Sequence, residues 1–257
     1  MRRRIVIPTL VAVLAVSWAA GVRAERVIKD GLEVTFNADF NPHVLPRLQP
    51  APVKVEIHGK IATTDGSHPP PLRWLEVALN RNGRLYTKGL PVCTAPILQS
   101  TSTETALERC RPALVGRGNF RAEVTLGREI PTGGKILAFN SRRGGKQALL
   151  LHLFAGVPVR FTLVVPLTIG HRKEGQFGTI LRAKIPRLGG GLGSVTEIDL
   201  TIGRRYSFGG QRRSYVSAAC SAPAGFNEVP FSFARGIFRF EGHQEIRETL
   251  LRTCRVR

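Results

Sequence analysis

The sequence predicts an all-β chain, an antiparallel β-sandwich with one short helix in a disulfide-closed loop. Apolar and polar residues alternate with period two along most of residues 25–257, as in strands with one wet face. Turn signals punctuate that alternation: "TTDGSHPPP", "RNGR", "PTGG", "RRGG", "RLGGGLG" and "SFGG". Helical patterning is clear only in "STSTETALERC", with "EIRETLLRTCRVR" readable as a short helix or a final strand, too little for a fold that alternates strands with helices.

The chain opens "MRRRIVIPTLVAVLAVSWAAGVRAE". Arg2, Arg3 and Arg4 precede an apolar run from Ile5 to Ala20, and Val22 and Ala24 suit a cleavage site. These are the three parts of a secretory signal peptide. The run is shorter than the ~20 residues of a spanning helix. The expected organisation is a signal peptide over 1–24 and a single β-sandwich domain over 25–257. No transmembrane segment is expected once the signal is removed, and the expected location is secreted or at the cell envelope.

Each later element follows from local pattern. In "VKVEIHGKI", Val53, Val55 and Ile57 share one face, and Lys54, Glu56 and His58 the other. In "LRWLEVALN", Trp74 lies opposite Leu75, Val77 and Leu79. "NRNGRLY" reads as a tight hairpin about Asn82-Gly83. Thr101 and Glu104 fit a capping box at the start of the helix. In "FRAEVTLG", Phe120, Ala122, Val124 and Leu126 face inward. "QALLLHLF" and "RFTLVVPL" are apolar on both faces, so they read as central strands broken at "AGVP". In "SVTEIDLTIG", Thr196, Ile198, Leu200 and Ile202 oppose Val195, Glu197, Asp199 and Thr201. A three-strand meander is expected over 213–220, 229–240 and 244–256. A bulge at Arg235-Gly236 would reconcile Phe231 and Phe233 with the opposite parity of Phe238 and Phe240.

Four cysteines allow three pairings, and spacing favours Cys93 with Cys110 and Cys220 with Cys254. No two are close enough for the ligand pairs of a zinc site or for a C-x-x-C redox motif, and export favours disulfides. No catalytic, cofactor-binding or metal-binding residues are assigned. There is no G-x-S-x-G elbow and no P-loop, and the six histidines form no ligand motif. Glu33, Glu56, Glu76, Glu123 and Glu197 fall on strands, where a glycan hydrolase would need two of them facing across a cleft. Trp74, Tyr86, Tyr206 and Tyr215 are the candidates for stacking on sugars.

The net charge is +20, and +16 without residues 1–24. Basic residues occur as doublets, Arg142-Arg143, Arg172-Lys173, Arg204-Arg205 and Arg212-Arg213, with no long run and no nucleic-acid-binding motif. The expected partners are anionic cell-envelope polymers, bound weakly and with strong salt dependence, rather than a specific nucleic acid.

"LPVCTAPIL…ALERCRPALVGRG", "GKILAFN", "GTILRAKIP.LGGGLGSVTEIDLTIGR" and "SYVSAACSAP" together resemble a group of secreted β-rich actinobacterial proteins with paired cysteines. The resemblance implies export and cystine bridges, and it carries no activity. The expected function is an exported, non-catalytic protein at the envelope that binds acidic polymers or glycans. The alternatives are a glycan hydrolase using strand glutamates and a purely structural wall protein.

Overall fold

The computed structural model describes residues 25–188, 191 and 193–257. The expected signal peptide lies outside them, as do Gly189, Gly190 and Leu192 of the "RLGGGLG" turn. The first strands are β1 (Glu25–Lys29), β2 (Leu32–Asn41), β3 (Val44–Leu45), β4 (Ala51–Pro52), β5 (Lys54–Thr63), β6 (Leu72–Asn80) and β7 (Gly83–Leu85). Helices α1 (Ala95–Leu98) and α2 (Thr103–Cys110) follow, with a 3-10 turn at Arg111–Ala113. Then come β8 (Leu114–Thr125), β9 (Glu129–Arg143), β10 (Lys146–Ala155), β11 (Phe161–His171), β12 (Phe177–Lys184) and β13 (Gly193–Ile202). The chain ends with β14 (Arg205–Phe208), β15 (Gln211–Ser214), β16 (Val216–Ala218), β17 (Glu228–Phe240) and β18 (Glu245–Val256).

The chain is all-β. Thirteen strands form one sheet in the order β1-β2-β5-β13-β8-β9-β10-β11-β12-β6-β17-β18-β3, antiparallel except where β3 meets β18. The sandwich is made by this one sheet folding over itself. Phe36 of β2 and Phe238 of β17, far apart in strand order, meet edge to face with ring centroids 5.5 Å apart. Glycines permit the curl. A Cβ at Gly118 would overlap the Asp199 carbonyl, and one at Gly134 would overlap that of Phe154.

The curl brings β18 against β1 and β2. There the closure is made by side chains. Lys29 donates to the Glu245 carbonyl at 3.3 Å, and the Leu251 amide donates to Glu25 Oε1 at 3.3 Å. β1 covers β2 only from Leu32 to Phe36. Beyond it the buried Arg252 guanidinium reaches Asn37 and lies 3.8 Å from Asp39.

Two small sheets, β4-β16-β7 and the β14-β15 hairpin, close one end of the curled sheet. Residues 93–113 form a helical insert on the outer face of β9 and β10. Cys93, Leu98, Ala106 and Cys110 pack there on Leu137, Phe139 and Leu150. β10 is thus apolar on both faces because both are covered, as its sequence predicts. Cys93–Cys110 and Cys220–Cys254 are both disulfides, with Cα atoms 5.7 and 5.8 Å apart.

Several local expectations are corrected. The helix cap is Ser102, whose Oγ accepts from the Thr105 amide at 3.3 Å. Thr101 turns inward instead, donating to the Leu98 carbonyl. The chain bends at Asn82-Gly83, but β7 pairs with β16 rather than β6, so no hairpin forms. β17 and β18 pair as expected, whereas β16 belongs to the small sheet, so the three-strand meander does not exist. The bulge that reconciles the phenylalanine parity is at Phe233, not Arg235-Gly236. Leu126, just past the end of β8, is exposed. A register shift at Thr196 brings Val195 to the inner face.

Candidate functional site

The inner face of the sheet does not pack shut. It lines a cavity of about 220 Å³. Leu149, Leu151 and Leu153 of β10, Leu163, Val165 and Leu167 of β11, and Leu75, Val77 and Leu79 of β6 form much of its wall. These are alternate residues of each strand, so period two aims one apolar row from every strand at the same space. Protein interiors seldom leave voids much larger than a water molecule. The lining explains an oddity of burial: Val55, Ile57, Val77 and Leu79 are inward-facing but only half-buried.

Tyr215 is the exceptional lining residue. It follows β15 at the end closed by the small sheets and is fully buried. Its hydroxyl has no hydrogen-bond partner among the described residues, and burial raises its pKa well above the ordinary tyrosine value. A desolvated, unpaired hydroxyl costs about 1–3 kcal/mol. Nothing in the sequence distinguishes Tyr215 from the other tyrosines.

The outer face carries the charge. Thr35, Asn37 and Asp39 of β2, Lys54, Glu56 and His58 of β5, and Arg117, Asn119 and Arg121 of β8 alternate with the inward residues. This inverts the pattern of a membrane barrel, which is apolar outside and polar within. Among the described residues no helix is long and apolar enough to cross a membrane.

The sequence-predicted candidates are dispersed. Glu33 pairs with Arg26 at 2.6 Å, Glu76 with Arg182 at 2.7 Å, and Glu123 with His68 at 3.0 Å. Glu197 lies 3.7 Å from Arg121, and of the five strand glutamates only it borders the cavity. Glu56 lies opposite Asp39 and Thr201 in register. The aromatics form no shared platform. Trp74 sits beneath the Arg239 guanidinium, 4.4 Å from its ring centre, and Tyr86 beneath Arg213 at 5.2 Å. Tyr206 donates to the carbonyls of Tyr86 and Lys88, and Tyr215 is interior. His58, Glu197 and Asp199 bring ligand atoms within 4.8 Å of one another, and the His58–Asp199 hydrogen bond of 2.7 Å already occupies part of that group.

The basic doublets, separated in sequence, gather at one end of the molecule. Arg142-Arg143 end β9 at the β9–β10 turn, Arg172-Lys173 lie in the β11–β12 turn, Arg204-Arg205 begin the β14–β15 hairpin and Arg212-Arg213 lie on its second strand. All are at the end closed by the small sheets. Gln147 donates to Thr87 at 2.7 Å, Arg81 donates to the Lys173 carbonyl at 3.1 Å, and Tyr206 bridges to Lys88. Arg204 is committed to the carbonyls of Arg111, Pro112 and Leu114, while Arg142, Arg143, Arg172, Lys173, Arg205 and Arg212 are exposed.

Compared with protein-family models, curated proteins and solved structures, the chain gives no match. No activity or ligand therefore comes to it from relatives, and the site stands on its own geometry. Two disulfides fit an oxidising compartment.

Proposed function

We propose that this is an exported, non-catalytic binding protein of the cell envelope, whose ligand is an apolar molecule or chain held inside the curled sheet. The cavity carries this reading. At about 24 cal/mol per Å³, a void of this size forfeits roughly 5 kcal/mol of packing if left empty. It is also lined by leucine and valine rows with few polar groups, the chemistry of a small-molecule pocket. At ~30 Å³ each it accommodates roughly seven groups the size of a water molecule. The ligand is therefore a short acyl segment or a ring system.

The hydrolase reading is supported less well, because four of the five strand glutamates are ion-paired and Glu197 alone borders the cavity, so no two face each other across it. The test is titration with an apolar fluorophore and a fatty acyl chain, followed by fluorescence and by native mass spectrometry. Wild type is expected to bind one equivalent. Val55→Phe combined with Val77→Phe, which fills the cavity from two walls, is expected to abolish binding while keeping the thermal transition cooperative. Absence of binding to either probe, or binding unchanged in the filled variant, would remove the cavity from consideration.

A further inference from the structure

The end of the molecule that gathers the basic doublets also exposes large apolar side chains. Phe208 sits beside the tip of the β14–β15 hairpin, between Arg205 and Arg212, with the Lys88 ammonium 6.0 Å from its ring centre. Leu48 and Phe226 lie on the β3–β4 and β16–β17 connections at the same end. They are 81% and 63% exposed, among the most exposed large hydrophobics of the described residues. The two connections are tied together. Arg47 donates to the carbonyls of Ala222, Pro223 and Phe226 at once, so the loops present Leu48 and Phe226 from one braced unit. Acids are few on this end: no Asp or Glu occurs between Glu76 and Glu104 or between Asp199 and Glu228, although the β11–β12 turn carries the exposed Glu174 beside Arg172-Lys173. Glu228 is itself paired with Arg255 at 2.7 Å.

We infer that this end docks on an anionic lipid surface, with Arg and Lys against the phosphates and Phe208, Leu48 and Phe226 entering the headgroup boundary. The inference stands independently of the cavity's occupant. Charge alone fits any polyanion, and it is the apolar tips that choose. A hydrophilic polymer offers nothing to bury them, whereas the headgroup–acyl boundary of a bilayer does. Basic residues near an anionic bilayer each strengthen binding, so removing two is expected to weaken it roughly ten- to thirtyfold.

The experiment is vesicle co-sedimentation with the mature protein. It compares neutral phosphatidylcholine vesicles, vesicles containing about one-third anionic phosphatidylglycerol, and soluble polyglutamate as competitor. Four proteins are measured: wild type, Arg142→Ser with Arg143→Ser, Phe208→Ser with Leu48→Ser and Phe226→Ser, and Arg128→Ser with Lys184→Ser at the opposite end. All the substituted side chains are exposed, and thermal melting checks that each variant folds. The expected result is binding to anionic vesicles only, lost about tenfold or more in the arginine and apolar-tip variants and kept in the opposite-end control. An apolar-tip variant that binds like wild type, with polyglutamate competing fully, would overturn the inference in favour of a polymer surface. Equal losses in the two charge-reduced variants would overturn it in favour of undirected net charge. Absence of binding to anionic vesicles at low salt would end it.

Discussion

β10 has two faces that look alike in sequence and differ in what opposes them. On the outer face, Leu150 packs with Leu137 and Phe139 beneath the Cys93–Cys110 insert, and His152 is wholly buried there. Its Nε2 lies 3.0 Å from Thr101 Oγ1 and 3.1 Å from the Thr101 carbonyl, so the neutral ring donates to both. On the inner face, Leu149, Leu151 and Leu153 border an open cavity. Hydrophobicity reports that a face leaves water. It does not report whether side chains, a ligand or a void meets it.

The largest expected effect lies outside both faces and calibrates them. Cys220→Ser opens a 34-residue loop and is expected to destabilise by about 4 kcal/mol, against about 3 for the 17-residue loop of Cys93→Ser. Denaturant midpoints with unchanged slopes would measure this, and a Cys220→Ser midpoint equal to wild type would show that the bridge adds nothing. The next prediction tests the comparison directly. Leu150→Ala on the packed face is expected to cost about 3 kcal/mol, and Leu151→Ala on the cavity face about half that, because Leu151 already lacks neighbours on one side. Equal losses would mean that the inner face is as well packed as the outer.

A smaller effect of opposite sign is expected at Tyr215. Tyr215→Phe deletes an unpaired buried hydroxyl and should raise ligand-free stability by about 1 kcal/mol. A loss of stability there would mean that the hydroxyl has a partner in solution. The smallest effect depends on pH. Burial lowers the His152 pKa, and the hydrogen bonds with Thr101 oppose that only in part. Its contribution is therefore complete above the unfolded value of ~6.5 and is lost as pH falls below it, because the unfolded chain takes up the proton first. The stability difference between wild type and His152→Gln should narrow between about pH 7.5 and pH 5.5, and a constant difference would leave His152 without a role in acid sensitivity.

The strands were legible because their patterns are local: β5, β8 and β13 fall close to where period two puts them, and β10 and β11 where runs apolar on both faces put them. What failed depended on remote partners. Asn82-Gly83 has hairpin chemistry, yet β6 is already flanked by β12 and β17, so β7 must pair elsewhere. Thr101 has the right spacing for a cap, but His152, fifty-one residues on, takes its side chain. The basic doublets read as scattered because their gathering at one end is a property of the fold. Tyr215 and the cavity gave no signal, since a residue facing a void and one facing a core share the same pattern.

The seam between β18 and the β1–β2 pair gives this curled sheet a preferred line of parting. Along every other boundary, separating neighbours means breaking a ladder of backbone hydrogen bonds. Along this one, a few long side chains span the gap, with Arg252 buried among Asn37 and Asp39 as the clasp. Widening there leaves the strands themselves intact, so the ligand proposed above would have a route to the interior that does not require the protein to unfold. Hydrogen exchange would see that route as early loss of protection in β18 and in the uncovered edge of β2, while β9 and β10 remain closed.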